Sequence, residues 1–239
     1  MERDRKRRRR KMKTEDIAGR IAGNAEHKKS GRGVFITFEG PDASGKTTQL
    51  RLLEDHLRGL GIDPVMTREP GGTPISEKIR EIILDKANDE MLPMTEALLY
   101  AASRAQHVGQ LIVPSIEAGR VVISDRYVDS SIAYQGYGRG MGDIIEEINM
   151  PATGGLRPDL TVLLATDTSR MRERRSADEE DRMDAQKAEF HAEVMKGYMK
   201  LAEREPERIR VVDGQRGIDD IAADIREIVD RLLEEKGII

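Results

Sequence analysis

Residues 35–50, FITFEGPDASGKTTQL, constrain this chain more than any other segment. An apolar run breaks at Gly40, and four residues later comes Gly45-Lys46-Thr47, the G-x-x-x-x-G-K-[ST] pattern of a phosphate-binding loop. The glycines let the backbone turn tightly and bring bare N–H groups against phosphate oxygens. The helix that must follow presents its positive N-terminus to the same anion. Lys46 is placed to neutralise β- and γ-phosphate charge, and the Thr47 hydroxyl to ligate Mg2+. From residue frequencies, a chance match in a chain of this length is on the order of one per cent. The segment therefore marks a nucleoside triphosphate site, without naming the acceptor.

The rest of the chain alternates strand and helix patterns. VFITFE, DPVMTR, RVVISD, PDLTVLLAT and RIRVVD are short, β-branched apolar runs of the kind buried parallel strands show. KTTQLRLLEDHLRGLG has helical spacing of Leu50, Leu53, Leu57 and Leu60, with Gly61 as its stop. TPISEKIREIILD places Pro74 in a first helical turn. Residues 94–119 form a long helical stretch in which Pro114 predicts a kink or break. IDDIAADIREIVDRLLEE closes the chain as an amphipathic helix. Alternation of this kind predicts an α/β fold with a mainly parallel sheet.

Composition limits the partners. The first thirteen residues, MERDRKRRRRKMK, carry a net +7 against −4 for the whole chain, which leaves −11 on the remainder. An acidic body argues against nucleic acid as the main partner. Residues 1–32 are expected to form a solvated basic tail, at most a weak nucleic-acid or anionic-surface arm, with Met12 an alternative start. The folded domain is expected over residues 33–239. No apolar run approaches about 18 residues, so no membrane span is expected. The chain has no cysteine, which fits a reducing compartment and a cytoplasmic protein.

A second anchor is VVISDRY. Asp125 ends a strand where a carboxylate can hold Mg2+ or its water, and Arg126 follows as a fork for phosphate. Three further segments look unlike plain scaffold. TREPGGTP puts Arg68 at a strand end, LLYAASR puts Tyr100 and Arg104 on one helix face, and DRYVDSSIAYQGYGRG gathers Ser131, Gln135 and three of the five tyrosines. A ring that stacks on a base, amides and hydroxyls that read its edge, and arginines for phosphate suit a nucleoside monophosphate.

FEGPDASGKTTQ, TREPGGTP, ALLYAASRAQH, VVISDRYVDSSIAYQGYGRG, PDLTVLL and EEDRMD, in that order and spacing, resemble the thymidylate kinase family from about Gly33 to the C-terminus. The resemblance implies a P-loop kinase fold, a five-stranded parallel sheet flanked by helices, and usually a homodimer. It implies transfer of the γ-phosphoryl of ATP, with Mg2+, to dTMP in dTDP biosynthesis. On the acceptor side it assigns Tyr100 to the thymine ring and Arg104 to its edge. Ser131 and Gln135 fall near the base, Arg126 and Arg68 at the acceptor phosphate, and Asp42 at the sugar 3′-hydroxyl. On the donor side it implies that Gly40, Pro41, Asp42, Ala43, Ser44 and Gly45, with Lys46, Thr47 and Thr48, surround the ATP phosphates. Thr47 and Asp125 are the expected metal residues.

RRSADEEDR resembles the lid over ATP, within residues 170–184. Family members either carry an arginine at the loop position held here by Ala43 or supply it from the lid. Ala43 therefore predicts the lid arrangement, with Arg174 or Arg175 at the donor phosphates and Arg182 supporting closure over ATP. The chain departs from the family pattern in LATDTS, where Ala165 and Thr168 replace an acid and a proline. It departs again at Asp184, one carbon shorter than the usual lid acid. Two other classes fit the phosphate loop alone: a kinase of another nucleotide or small metabolite, and a non-enzymatic nucleotide-dependent switch.

Overall fold

The computed structural model describes residues 31–166, 182–183 and 186–239. The basic tail up to residue 30 and the lid arginines Arg170, Arg172, Arg174 and Arg175 lie outside the described residues. Five parallel strands form one sheet: β1 (Phe35–Glu39), β2 (Val65–Arg68), β3 (Val122–Asp125), β4 (Leu160–Ala165) and β5 (Ile209–Asp213). Their spatial order is β2-β3-β1-β4-β5. β1 is central, with Phe38 in register with Asp125 on one side and Val162 on the other. All five residues of β1 are buried, because a central parallel strand is covered on both faces. After β3 the chain crosses β1 to add β4. That reversal leaves a crevice at the carboxyl ends of the strands, where open α/β sheets bind ligands.

The period-two alternation of β1 divides the core. Ile36 and Phe38 meet Leu50, Leu53 and Leu57 of α1 (Lys46–Gly59) and Ile221, Ile225, Val229 and Leu233 of α8 (Ile218–Glu235). Leu60, read as the next apolar position of α1, caps the helix instead and is exposed; Gly61 takes the left-handed turn behind it. Phe35 faces the other way, to Val108, Ile112, Ile116 and Tyr127. Thr37 pairs its hydroxyl with Thr161 at 2.8 Å, which satisfies both inside the sheet. Glu39 points to this second side as well, a carboxylate at the end of an apolar strand.

α2 (Pro74–Leu84) begins on Pro74, as the sequence predicts. The long helical stretch divides into α3 (Pro93–His107), a π-helical turn over Val108–Ile112 and α4 (Val113–Glu117). Pro114 has no N–H to return to the preceding turn, and the widened turn just before it absorbs the defect. Beyond β3 come α5 (Val128–Ser131) and a second π-helical stretch, Ile132–Gly138, which periodicity does not reveal. α6 (Ile144–Thr153) and α7 (Ala188–Arg204) complete the layer. α7 lies tightly on the second π stretch. A Cβ on Gly197 would sit 2.7 Å from Tyr137 Cδ2, and one on Gly138 2.6 Å from Phe190 Cε2.

Glycine is thus required where these elements touch. Gly197→Ala is expected to destabilise the protein by about 1–3 kcal/mol through overpacking. Gly109→Ala, with nothing within 4 Å of its Cβ, is expected to be neutral or stabilising by up to about 1 kcal/mol. Urea denaturation of both variants checks this, and equal midpoints would refute the close-contact account.

Candidate active site

The phosphate loop leaves β1 at Gly40, where φ is 133° and a Cβ would lie 2.5 Å from the Leu164 carbonyl oxygen. Ala43 and Gly45 follow at φ 55° and 95°. α1 then starts at Lys46 with no side-chain cap, so its first N–H groups remain available to an anion. Lys46 is buried, and its Nζ donates to the carbonyls of Pro41 at 2.8 Å and Gly40 at 3.1 Å. Burial first, then the charge of Arg126, brings its pKa down to about 8 against the opposing pull of Asp125, Asp42 and Glu39. Thr47 and Thr48 are exposed at the mouth of the loop. Asp125 Oδ1 and Ser44 Oγ are buried beside it with no hydrogen-bond partner among the described residues.

Arg126 follows β3 in a left-handed conformation, φ 71°, with its N–H on the Phe38 carbonyl at 2.8 Å. This backbone aims the side chain across the ends of the strands. One terminal nitrogen donates to Asp42 Oδ1 at 2.7 Å and the Tyr134 hydroxyl at 3.2 Å. The other donates to Ser130 and Tyr198, both at 3.0 Å. The guanidinium also lies 5.0 Å from the Tyr134 ring centroid. Asp42 accepts a further hydrogen bond from Tyr134 at 3.1 Å. Asp42 thus belongs at once to the phosphate loop and to the wall of the neighbouring cavity.

Behind Arg126 lies Glu39, wholly buried. It accepts from the Tyr127 N–H at 2.7 Å, Ser130 Oγ at 2.5 Å and Tyr198 Oη at 2.9 Å. Burial and the nearby Asp129 charge push its pKa up to about 7, against the opposing effects of Arg126 and of the two hydroxyl donors. Burial likewise holds the Tyr134 and Tyr198 phenols well above their ordinary range.

A cavity opens beside Arg126. Its walls include Asp42, Tyr100, Arg104, Arg126, Ser131 and Gln135, six of the residues named from the sequence for the acceptor. Arg104 is buried and firmly held. Its Nε donates to Glu69 at 2.7 Å, one terminal nitrogen to Asn149, and the other to the Tyr127 carbonyl at 3.0 Å and Ser131 Oγ at 3.1 Å. His107 Nδ1 lies 2.9 Å from the second Glu69 oxygen, and its Nε2 lies 2.7 Å from Thr67 Oγ1.

Arg68, the other expected acceptor-phosphate arginine, is not part of the wall. Its guanidinium donates to the Pro70 carbonyl at 2.8 Å and to Glu77 at 2.9 Å. Arg80, which the sequence does not single out, lines the cavity in its place and also reaches Pro70 O, at 2.9 Å. Arg182, expected over ATP, is turned inward in this structure. It donates to Ile83 O at 2.8 Å and Glu96 at 2.6 Å, beside Met183 in the cavity wall. Arg174 and Arg175 fall outside the described residues. Sequence reading passes over Glu39, Glu69, Glu96, Arg139 and Tyr198. Only the first had a local signal, an acid ending a buried strand before the phosphate loop.

The thymidylate kinase family profile matches residues 38–225. A thymidylate kinase of Symbiobacterium thermophilum is 48% identical over 204 residues, 85% of this chain and 95% of that protein. One of Lactobacillus delbrueckii subsp. bulgaricus is 50% identical over 198 residues, 80% of this chain and 93% of that protein. The crystal structure of thymidylate kinase from Ehrlichia chaffeensis superposes with a TM-score of 0.68 at 32% identity. It covers 83% of this chain and 99% of its own.

The buried Glu39 has a consequence for stability. Its pKa rises from 4.5 to about 7 on folding, so between those values the folded state keeps a proton that the unfolded chain has released. Stability is therefore lost as pH rises through this window and is level above it, by roughly 3 kcal/mol in all. Glu39→Gln lacks this titration. In urea unfolding, the advantage of wild type over Glu39→Gln is expected to shrink between pH 5 and pH 7.5. Parallel pH dependence of the two proteins would show that Glu39 is already ionised at pH 5.

Proposed function

This chain belongs to the thymidylate kinase family, and from that premise we infer which of its residues carry the reaction. The protein transfers the γ-phosphoryl of ATP to dTMP, giving dTDP and ADP. The acceptor is a phosphate anion at neutral pH, so no strong base is needed. The task is to align two repelling anions and neutralise the charge between them. The observation that carries the assignment of roles is the Arg126–Asp42 pair, which joins the phosphate loop to the cavity.

In this reading the phosphate loop holds the donor. Lys46 exchanges its two carbonyl partners for phosphate oxygens, and the arriving negative charge favours its protonated form. Arg126 holds the acceptor phosphate against the donor. Asp42 accepts the sugar 3′-hydroxyl; a carboxylate has lone pairs to spare beyond those used by Arg126 and Tyr134. Tyr100 faces the pyrimidine, and Arg104, Ser131 and Gln135 surround its edge. Asp125 Oδ1, which has no hydrogen-bond partner among the described residues, fits a cation or its water. Asp125 with the Thr47 hydroxyl would hold Mg2+, whose contribution is to neutralise charge on the donor phosphates. The lid would supply the remaining cation from Arg174 or Arg175, with Ala43 offering none.

The partner in solution is a second copy of the chain. α2 and α3 pack together and leave Ile75, Ile82, Met94 and Leu98 exposed, which supports a homodimer through these helices. Sedimentation of Ile82→Glu/Leu98→Glu as monomer is the expected result, and an unchanged dimer would place the interface elsewhere. No described helix is long and apolar enough to cross a membrane, and the absence of cysteine supports work in a reducing cytoplasm.

The decisive assay is ADP release with dTMP, dUMP, UMP, CMP, AMP and GMP in turn. dTMP is expected to be the best acceptor, and faster turnover of AMP or CMP would overturn the assignment. Asp42→Ala is expected to lose about tenfold or more in kcat/KM, the size of one hydrogen bond to a charged group. Replacing Arg174 and Arg175 together by alanine is expected to lower kcat steeply at nearly constant dTMP affinity, since such an arginine contributes about 10³–10⁵ in rate in related transfers. Weakened dTMP binding at intact kcat would put those arginines on the acceptor side.

A further inference from the structure

We propose that Glu96 is a positioning residue that sets the choice of pyrimidine: its carboxylate turns the Gln135 amide so that the oxygen, not the nitrogen, faces the cavity. Glu96 stands in the first turn of α3 and is wholly buried. Its Oε1 accepts from Gln135 Nε2 at 2.9 Å and from Arg139 Nε at 3.3 Å. Its Oε2 accepts from Arg182 at 2.6 Å and from the Arg139 terminal nitrogen at 3.1 Å.

Burial alone would raise the pKa of Glu96, but hydrogen bonds from Arg139, Gln135 and Arg182, with the charge of Arg139, bring it below the ordinary carboxylate value. The group is therefore ionised at neutral pH and can only accept hydrogen bonds. Gln135 can meet it only through its NH2. The opposite edge of that amide is Oε1, and Gln135 lines the cavity. No hydrogen bond to Oε1 is found among the described residues. The cavity wall thus combines an acceptor at Gln135 with a donor at Arg104.

This pattern suits a base edge that offers an N–H beside a carbonyl. Thymine and uracil present N3–H beside O4. Cytosine presents a bare N3 lone pair beside an amino group, so oxygen would face nitrogen with no hydrogen between them. A site that binds a ligand hydrogen through a buried polar group rejects an analogue lacking it, because that group is left unpaired. Glu96 does not touch the base in this account. It acts through Gln135, and Arg139 and Arg182 act through Glu96 by keeping it charged.

The proposal rests on the reading of this cavity as the monophosphate site. The test compares kcat/KM for dTMP and dCMP in wild type, Glu96→Gln and Glu96→Asp, with the KM for ATP measured in each. A glutamine at 96 keeps the size but can offer its own NH2 to Gln135, which frees the amide to turn over. The dTMP-to-dCMP ratio is expected to fall about tenfold or more in Glu96→Gln, through a raised KM for dTMP at unchanged KM for ATP. Glu96→Asp, still an acceptor-only carboxylate, is expected to keep most of the preference. Equal losses on both substrates, or the same loss of ratio in both variants, would make Glu96 a packing residue and overturn the proposal. Should Glu96→Gln not fold, wild type with dTMP methylated at N3 decides: turnover lower by about tenfold or more is expected, and turnover equal to dTMP overturns the proposal. A wild-type protein that does not prefer dTMP to dCMP would overturn the cavity reading itself, a result visible before any substitution is made.

Discussion

Arg126 and Asp42 are 84 residues apart in sequence and 2.7 Å apart in space, and the site depends on that contact. Asp42 is part of the phosphate loop, and Arg126 begins the segment that walls the neighbouring cavity. Holding them together fixes the distance between the phosphate loop and the cavity. Arg126 takes a left-handed backbone to do so. Such a conformation costs a non-glycine residue on the order of 1–3 kcal/mol and persists only where its surroundings determine it. Here the Phe38 carbonyl, Ser130, Tyr198 and Tyr134 all bind the same residue.

Buried acids stand behind Arg126, Arg104 and Gln135. Glu39 lies under Arg126, with Ser130 and Tyr198 between them; Glu69 grips Arg104; Glu96 holds Gln135, Arg139 and Arg182. None of these pairs is a strong argument for stability, because removing two charges from water offsets much of their attraction. Their effect is positional. A phosphoryl-transfer site must present cations to highly charged substrates without letting those cations move to suit the ground state. An acid behind an arginine fixes its guanidinium in place, as Glu69 does for Arg104, and leaves the remaining donors toward the cavity. The two glutamates that accept from arginine guanidinium groups directly, Glu69 and Glu96, are each held by more than one donor, which limits their own freedom.

The two π-helical stretches have different origins. Val108–Ile112 accommodates Pro114 in an otherwise continuous helix. Ile132–Gly138 widens the chain where Tyr134 and Gln135 must both turn inward, and Gly138 and Gly197 let α7 approach closely enough for Tyr198 to reach Arg126. Overall packing and the placement of Arg126 therefore share the same contacts at this layer.

The phosphate loop, the parallel α/β architecture, the positions of the strands and six residues of the cavity wall were legible in the sequence. They are encoded locally: G-x-x-x-x-G-K-T fixes a backbone shape, continuous β-branched runs fix buried strands, and Pro74 and Gly61 fix helix ends. Asp42, Tyr100, Arg104, Arg126, Ser131 and Gln135 stand in motifs that resemble one family, and they converge on one cavity. What the sequence did not determine is which charged groups pair across it. Arg68 and Arg80 look alike as isolated arginines; only the path of the Pro70 loop decides which of them lines the cavity. Glu39 and Tyr198, 159 residues apart, meet because β1 and α7 pack against one layer. The inward turn of Arg182 to Glu96 likewise comes from the packing of α2 and α3. Local patterns are set by backbone preference and periodicity, which neighbouring residues carry. The pairing of buried charges is set by which side chains the tertiary fold leaves no water to solvate, and no stretch of sequence carries that by itself.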